Sequence, residues 1–137
     1  MTLSSDSAGA QQWEQTVTGV GDNNENIRAL AVDVAGNINA AGYSTESREN
    51  RNMALWKVAS DGTTSCVETF NGTSPASPDE AQGIALADNG DAIVAGFSKN
   101  SGESNNITCF RSDASTCDTA WTEMVITPAN GSDKVYD

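Results

Sequence analysis

The strongest constraint on this chain is an internal repeat, because the sequence matches itself without a gap when it is shifted by 54 residues. Of its 137 residues, 12 precede the first copy, two copies of 54 follow, and 17 belong to a third. Periods of this size are typical of proteins built from one repeated supersecondary unit. The matched positions include Gly36 with Gly90, Gly42 with Gly96, Leu30 with Ile84, Trp56 with Phe110, and Trp13 with Val67 and Trp121.

Each copy is predicted to form four short strands and no helix. The predicted strands of the first copy are 26–34, 37–44, 53–59 and 64–71, and 91–98 is the second strand of the next copy. Glycine beside Asp or Asn marks the tight turns between them. No stretch of helical length keeps an apolar period of about 3.6 residues. The sequence therefore predicts an all-β protein made of four-stranded antiparallel units.

Charge and composition exclude several classes of function. Seven Lys and Arg residues against 19 Asp and Glu give a formal charge of -12, which argues against a nucleic-acid partner and against docking on anionic membranes. The chain has no His, so a Ser-His-Asp triad, a His general base and the common His-containing zinc sites are absent. No apolar run is long enough for insertion into a membrane.

Two stretches of the sequence resemble the bacterial seven-bladed β-propeller repeat family. They are Asp79–Ser98, with its Asp88-Asn89-Gly90-Asp91 turn, and Leu55–Gly62. The resemblance implies propeller blades in a secreted or cell-envelope protein, outside the cytoplasm, without a shared catalytic set. It also implies that certain residues build and pack the blades, namely Trp13, Gly36, Gly42, Trp56, Gly90, Gly96, Phe110 and Trp121.

The repeat predicts how the chain is divided. Residues 1–12 are expected to be a poorly ordered lead, and 13–25 the outer strand of a preceding blade with its loop. Residues 26–79 and 80–133 are two complete blades, and 134–137 begin another. Because a propeller ring usually needs four to eight blades, further blades in cis or from other chains are needed to close it. A fragment of a larger protein is favoured over a ring of short chains.

The longer connections are the predicted binding surface. In an antiparallel meander the turns alternate between two ends, so the short turns share one end and the longer loops share the other. Loops on a rigid scaffold commonly carry function, and a protein or carbohydrate ligand is expected there. The candidate residues at this long-loop end are Glu25, Glu49, Asn52, Asp79, Glu103, Asn106 and Asp133.

Three of these acidic residues recur at the same place in each copy. Glu25, Asp79 and Asp133 could form a ring of carboxylates that binds calcium, the one cofactor the sequence suggests. The preferred interpretation is that each carboxylate accepts backbone N–H bonds in the turn before its strand, with no metal and no cofactor.

The three cysteines leave the disulfide pairing open. Cys109 and Cys117 are close enough in sequence to close a loop, whereas Cys66 could pair across the two copies. The second copy also carries Ser115-Thr116 where the first has Asp61-Gly62, with Cys117 beside them.

A non-catalytic scaffold is the expected function, structural or adhesive. The alternative is part of a propeller enzyme, a lyase or glycoside hydrolase that uses paired carboxylates. Such a site needs acidic residues that break the repeat, and here the acidic residues follow the repeat or lie in turns. We therefore expect no enzyme activity.

Overall fold

The computed structural model of the chain describes residues 2–5, 10–16, 24–45, 50–74, 76–102 and 104–125. These residues form strands and no helix, which confirms the predicted all-β fold, and none of them belongs to a helix that could cross a membrane. The strands are β1 (Thr2–Ser5), β2 (Gln11–Gln15), β3 (Glu25–Val32), β4 (Ile38–Thr45), β5 (Arg51–Val58), β6 (Thr64–Phe70), β7 (Glu80–Leu86), β8 (Ala92–Lys99), β9 (Asn105–Ser112) and β10 (Thr119–Val125).

The strands are arranged in three antiparallel sheets. Strands β1 and β2 form the N-terminal pair, β3 to β6 form the first sheet, and β7 to β10 form the second sheet. In both larger sheets neighbouring strands follow chain order, as short turns between consecutive strands require. The two sheets correspond to the two predicted copies, and the strand ends agree with the predicted ones to within two residues.

The turn between the first two strands has the same structure in both sheets. Gly36 N donates to Asp33 O over 3.0 Å, and Gly90 N donates to Ala87 O over 2.8 Å. The two glycines have φ angles of +84° and +86°. Glycine adopts this left-handed region at little cost in free energy, because it has no Cβ. The backbone conformation of the turn therefore explains why glycine recurs at these positions.

The last turn of the second sheet is one residue longer than its counterpart in the first. A hydrogen bond from Ala59 N to Thr63 O closes the β5–β6 turn, whereas one from Asp113 N to Asp118 O closes the β9–β10 turn. The left-handed residue is Gly62 in the first sheet, with φ +90°, and Cys117 in the second, with φ +62°. The two turns therefore differ both in length and in the residue type that takes the left-handed conformation.

This longer turn shifts the register of the last strand. Trp56 lies opposite Val67, but Phe110, the equivalent of Trp56, lies opposite Thr122. The gapless alignment of Val67 with Trp121 is therefore wrong for β10. Since neighbouring residues of a strand point to opposite faces, Trp121 projects from the other face of the sheet, where it is exposed.

The two sheets pack face to face around a shared core. We call the sheet face with Trp56 in the first sheet and Phe110 in the second the back face, and the opposite one the front face. The front face of the first sheet packs on the back face of the second. The buried residues of this shared core are Ala41, Met53 and Leu55 from the first sheet and Ala81, Ala92, Val94 and Phe110 from the second.

The second strands of the two sheets, β4 and β8, differ in burial. Strand β4 is buried along most of its length on both faces, whereas β8 alternates between buried and half-buried residues. The half-buried residues of β8 belong to the front face of the second sheet, which no described strand covers.

The first strand of each sheet comes unusually close to the second strand at one glycine. A Cβ on Gly42 would lie 1.8 Å from Asn26 O, and a Cβ on Gly96 would lie 2.0 Å from Glu80 O. Both contacts are with backbone, so a side chain at either position would push the strands apart. This close approach gives the recurring glycines a structural reason.

The N-terminal pair consists of β1, in the segment predicted as a poorly ordered lead, and β2, most of which lies in the segment predicted as an outer strand. Residues 2–5, inside the predicted lead, pair with β2. The indole Nε1 of Trp13 donates to Ser60 O over 2.9 Å, and its ring lies against Gly62. Strand β2 therefore has a partner strand of its own and contacts the β5–β6 turn of the first sheet.

A disulfide joins the two sheets at their outer edge. Cys66 on β6 is bonded to Cys117 in the β9–β10 turn, 51 residues later. Of the pairings that the sequence left open, the structure has the one across the two copies. Cys109 does not take part in the disulfide. Thr119 donates to the Glu68 carboxylate nearby, so the same outer strands are also joined by a side-chain hydrogen bond.

Candidate binding sites

Four of the seven residues predicted at the long-loop end lie in the described part of the chain. Asn52 and Asn106 are buried at equivalent positions near the starts of β5 and β9. Glu25 begins β3, and Asp79 directly precedes β7. The remaining three, Glu49, Glu103 and Asp133, lie outside the described residues.

Asp79 is a fully buried carboxylate that ties two loops together. Its Oδ2 accepts from Gly72 N over 2.8 Å, and its Oδ1 accepts from Lys99 N over 2.9 Å. Burial raises the pKa of Asp79 from 3.8 to about 6, against the lowering effect of these two backbone bonds. Both carboxylate oxygens of Asp79 are therefore bonded to backbone amides, one in the loop before β7 and one at the end of β8.

The titration of Asp79 should be visible in the stability of the protein. Because its pKa is higher in the folded protein than in the unfolded chain, the neutral form stabilises the fold at low pH, and this contribution is lost as pH rises through about 6. The change from 3.8 to about 6 corresponds to about 3 kcal/mol. We expect Asp79→Asn to remove this contribution, as measured by urea unfolding of both proteins between pH 3 and pH 8.

The comparison uses the difference between the two pH profiles, since the substitution also changes stability by a constant amount. Asp33, Asp91 and Asp113 have lowered pKa values and act in the opposite direction in both proteins. Parallel profiles for the wild type and Asp79→Asn would contradict the assignment.

A cluster of charges closes the inter-sheet space at the long-loop end. The buried Glu80 carboxylate accepts from Arg51, from Arg28 over 3.4 Å and from Gln82 over 3.1 Å. The Arg51 guanidinium also lies 4.4 Å from the centre of the Tyr43 ring, a cation–π contact. Sequence reasoning missed this cluster, because its members come from both copies and do not follow the repeat.

The described residues contain no group of three His, Cys, Asp or Glu side chains that could hold a metal ion. Of the three carboxylates considered for calcium, Asp79 has both oxygens in backbone hydrogen bonds. The ring as a whole includes Asp133, which is not among the described residues.

A polar cavity lies between the two sheets at the end that carries the short turns. Its volume is about 300 Å³, and a neighbouring groove of about 570 Å³ shares five of its lining residues. We call the cavity the inter-sheet cleft. Its polar lining includes Asn37, Asn39, Lys57, Ser65 and Thr116, and the disulfide forms part of its wall.

Lys57 is the most buried cation of the cleft, with 7% of its surface exposed. Its Nζ donates to Asp113 O over 2.5 Å. Burial lowers the pKa of Lys57, while the negative charges of Glu68, Asp113 and Asp91 raise it in part. The long-loop end was predicted as the binding surface, so sequence reasoning missed this cleft at the opposite end.

No protein-family model matches this chain, and no curated protein matches it.

Proposed function

We propose that the chain is a non-catalytic β-propeller scaffold module of the kind its sequence resembles, in which one further sheet packs on the front face of the second sheet and another covers the exposed Leu30 and Val32 of the first. The observation that carries this proposal is the way its two sheets meet. A front face packs on a back face, so the two sheets are related head to tail. Head-to-tail contacts generate rings when the rotation closes.

An exposed part of the back face of the first sheet supports this proposal, while Ala40, Ala54 and Trp56 on the same face are buried. Leu30 and Val32 are 63% and 55% exposed there. Their equivalents in the second sheet, Ile84 and Leu86, are partly buried against the shared core. A further front face packed on the first sheet would cover Leu30 and Val32 in the same way, and would remove apolar surface from water.

The open front face of the second sheet offers the complementary surface. Ile93 and Phe97 are half-buried on it, together with Ile107. The equivalents of Phe97 and Ile107 in the first sheet, Tyr43 and Met53, are buried. This difference in burial is the one expected if a further back face belongs on the second sheet.

The N-terminal pair also supports a preceding blade. Strand β2 contacts the β5–β6 turn through Trp13, and β6 is joined to the β9–β10 turn through the disulfide. Each of these strands therefore touches the last turn of the sheet that follows it. This is the relation expected between the outer strand of one blade and the next blade.

The disulfide favours the secreted or cell-envelope location that we propose with this function. Disulfides persist in oxidising compartments and are rare in the cytosol of most organisms. The Cys66–Cys117 bond joins the two sheets and closes a long stretch of chain, as is usual for a structural disulfide.

The exposed Leu30 and Val32 and the open front face of the second sheet predict that the protein associates in solution. We expect light scattering after size exclusion to give a mass of at least twice 14.3 kDa at high concentration. The double variant Leu30→Glu/Val32→Glu should lower this mass toward the monomer value, because it places charges where a neighbouring front face would pack.

Val34→Glu is the matched control, since Val34 is fully exposed in the β3–β4 turn and lies outside the sheet face. It should leave the association unchanged. A single sharp oligomer would favour a ring of separate chains, and a broad distribution would favour further blades in cis. A wild-type monomer at every concentration would overturn the proposal.

A further inference from the structure

The inter-sheet cleft contains a buried cation that the repeat leaves without its acidic partner. In the second sheet, Arg111 Nε donates to Asp91 Oδ2 over 2.7 Å, and the two residues form an ion pair. The equivalents in the first sheet are Lys57 and Asn37. An amide at position 37 in place of a carboxylate removes the negative charge that this pair needs.

One contact of position 37 is the same in the two sheets. Asn37 Oδ1 accepts from Ser60 N over 3.0 Å, just as Asp91 Oδ1 accepts from Ala114 N over 2.9 Å. Position 37 therefore keeps its role in holding the neighbouring turn. The other side-chain atom differs, since Asn37 Nδ2 donates to Asp33 Oδ2 over 2.8 Å, whereas Asp91 Oδ2 accepts from the cation Arg111.

Lys57 consequently has spare hydrogen-bonding capacity inside the cleft. An ammonium group has three donors, and the Asp113 carbonyl uses one. Among the described residues, no carboxylate lies within ion-pair distance of Lys57. A buried charge without an ion partner costs free energy, so a ligand that neutralises it is stabilised there.

Two of the acidic side chains near Lys57 are bonded within their own turns, and a third, Glu68 on β6, accepts from Thr119. Asp33 Oδ1 accepts from Ala35 N and Asn37 N. Asp113 Oδ1 accepts from both the backbone and the hydroxyl of Ser115. The Asp33 and Asp113 carboxylates are therefore oriented toward their turns, and the cleft keeps hydrogen-bond donors for a ligand.

At a second position in the cleft, the first sheet has a polar residue where the second sheet has an apolar one. Asn39 is 4% exposed on the front face of the first sheet, where the second sheet has Ile93. An aliphatic side chain would suit a buried place of this kind better. Asn39 lies beside Lys57 in the cross-strand register, so its amide is a further polar group next to the cation.

We propose that the inter-sheet cleft binds a small ligand through a carboxylate group, with Lys57 as its ion partner. Asn39 and the hydroxyl of Ser65 line the same cavity and supply further hydrogen bonds. A volume of about 300 Å³ accommodates a small organic acid. Both walls of the cleft belong to this chain, so the site does not depend on the proposed propeller ring.

The net charge of -12 opposes the approach of an anion. This repulsion is long-range and is screened beyond about 8 Å at physiological ionic strength. The direct contact with Lys57 is buried and much less screened. We therefore expect binding at physiological salt, with a dissociation constant on the order of a millimolar for the smallest acid.

The test is a titration of the ¹⁵N-labelled protein with sodium acetate, followed by backbone amide shifts in NMR spectra. Sodium chloride at equal ionic strength is the reference, and glycerol is the neutral probe. We expect acetate to produce saturable shifts at Asn39 and at Ala114 to Thr116, which border the cleft. Chloride and glycerol should produce none.

The double variant Asp33→Ala/Asn37→Asp tests the ion-pair argument directly. It copies the Ala87 and Asp91 of the second sheet into the first and leaves the net charge unchanged. The new carboxylate should pair with Lys57 and weaken acetate binding at least tenfold. Lys57→Met should do the same, and Lys99→Met, which removes an equal charge outside the cleft, should not.

The expected pattern is saturable acetate binding in the wild type that is lost in both cleft variants. The absence of a saturable acetate response in the wild type would overturn the proposal, as would an unchanged response in the double variant. A saturable response to glycerol alone would overturn the assignment to a carboxylate ligand.

Discussion

Replacing Phe110 with alanine should lower the free energy of unfolding by about 3–5 kcal/mol. Phe110 is fully buried in the shared core, and its ring stacks on Phe70 of the other sheet at a centroid distance of 6.2 Å. The substitution removes apolar contacts between the sheets and leaves a cavity that rigid strands cannot fill. Urea unfolding followed by tryptophan fluorescence would measure the change.

The control for this substitution is Val34→Ala. Val34 is fully exposed, so its truncation should change the free energy of unfolding by less than about 0.5 kcal/mol. A loss below about 1 kcal/mol for Phe110→Ala would mean that the two sheets do not share a core. It would also remove the main support for the head-to-tail arrangement.

Removing the disulfide with Cys66→Ala/Cys117→Ala should destabilise the protein by about 4 kcal/mol. The cross-link closes a loop of 51 residues, and its loss increases the conformational freedom of the unfolded chain. The pair also holds the outer strand of the first sheet against the last turn of the second. Thermal and urea unfolding of the oxidised wild type and the double variant would measure the difference.

Two further measurements make this result specific. Reduction of the wild type should lower its stability to that of the double variant, and should leave the double variant itself unchanged. Cys109→Ala, which leaves the disulfide intact, should cost much less. Equal losses in Cys109→Ala and the double variant would show that the effect comes from packing alone.

The strands and their order could be predicted because their signals are local. Alternating apolar residues and glycine turns recur at one interval, and each unit depends mainly on its own sequence. Gly36 and Gly90 illustrate this, since the same turn conformation requires glycine in both copies.

The displacement of Trp121 shows where this reasoning fails. A gapless repeat predicts that Trp121 takes the place of Val67, but the longer β9–β10 turn moves it to the opposite face. The residue that permits the turn is Cys117, in a left-handed conformation that sequence patterns associate with glycine. Its disulfide connects it to Cys66, a contact between distant residues that spacing alone left open.

The amino-acid sequence alone determined the all-β class, the two four-stranded units and their turns, because these depend on neighbouring residues. The tertiary structure alone decided which faces meet, which cysteines pair, and that Lys57 is buried without a carboxylate partner among the described residues. These features arise from contacts between residues far apart in the chain. Their energies depend on burial and on distance, which a linear pattern does not contain.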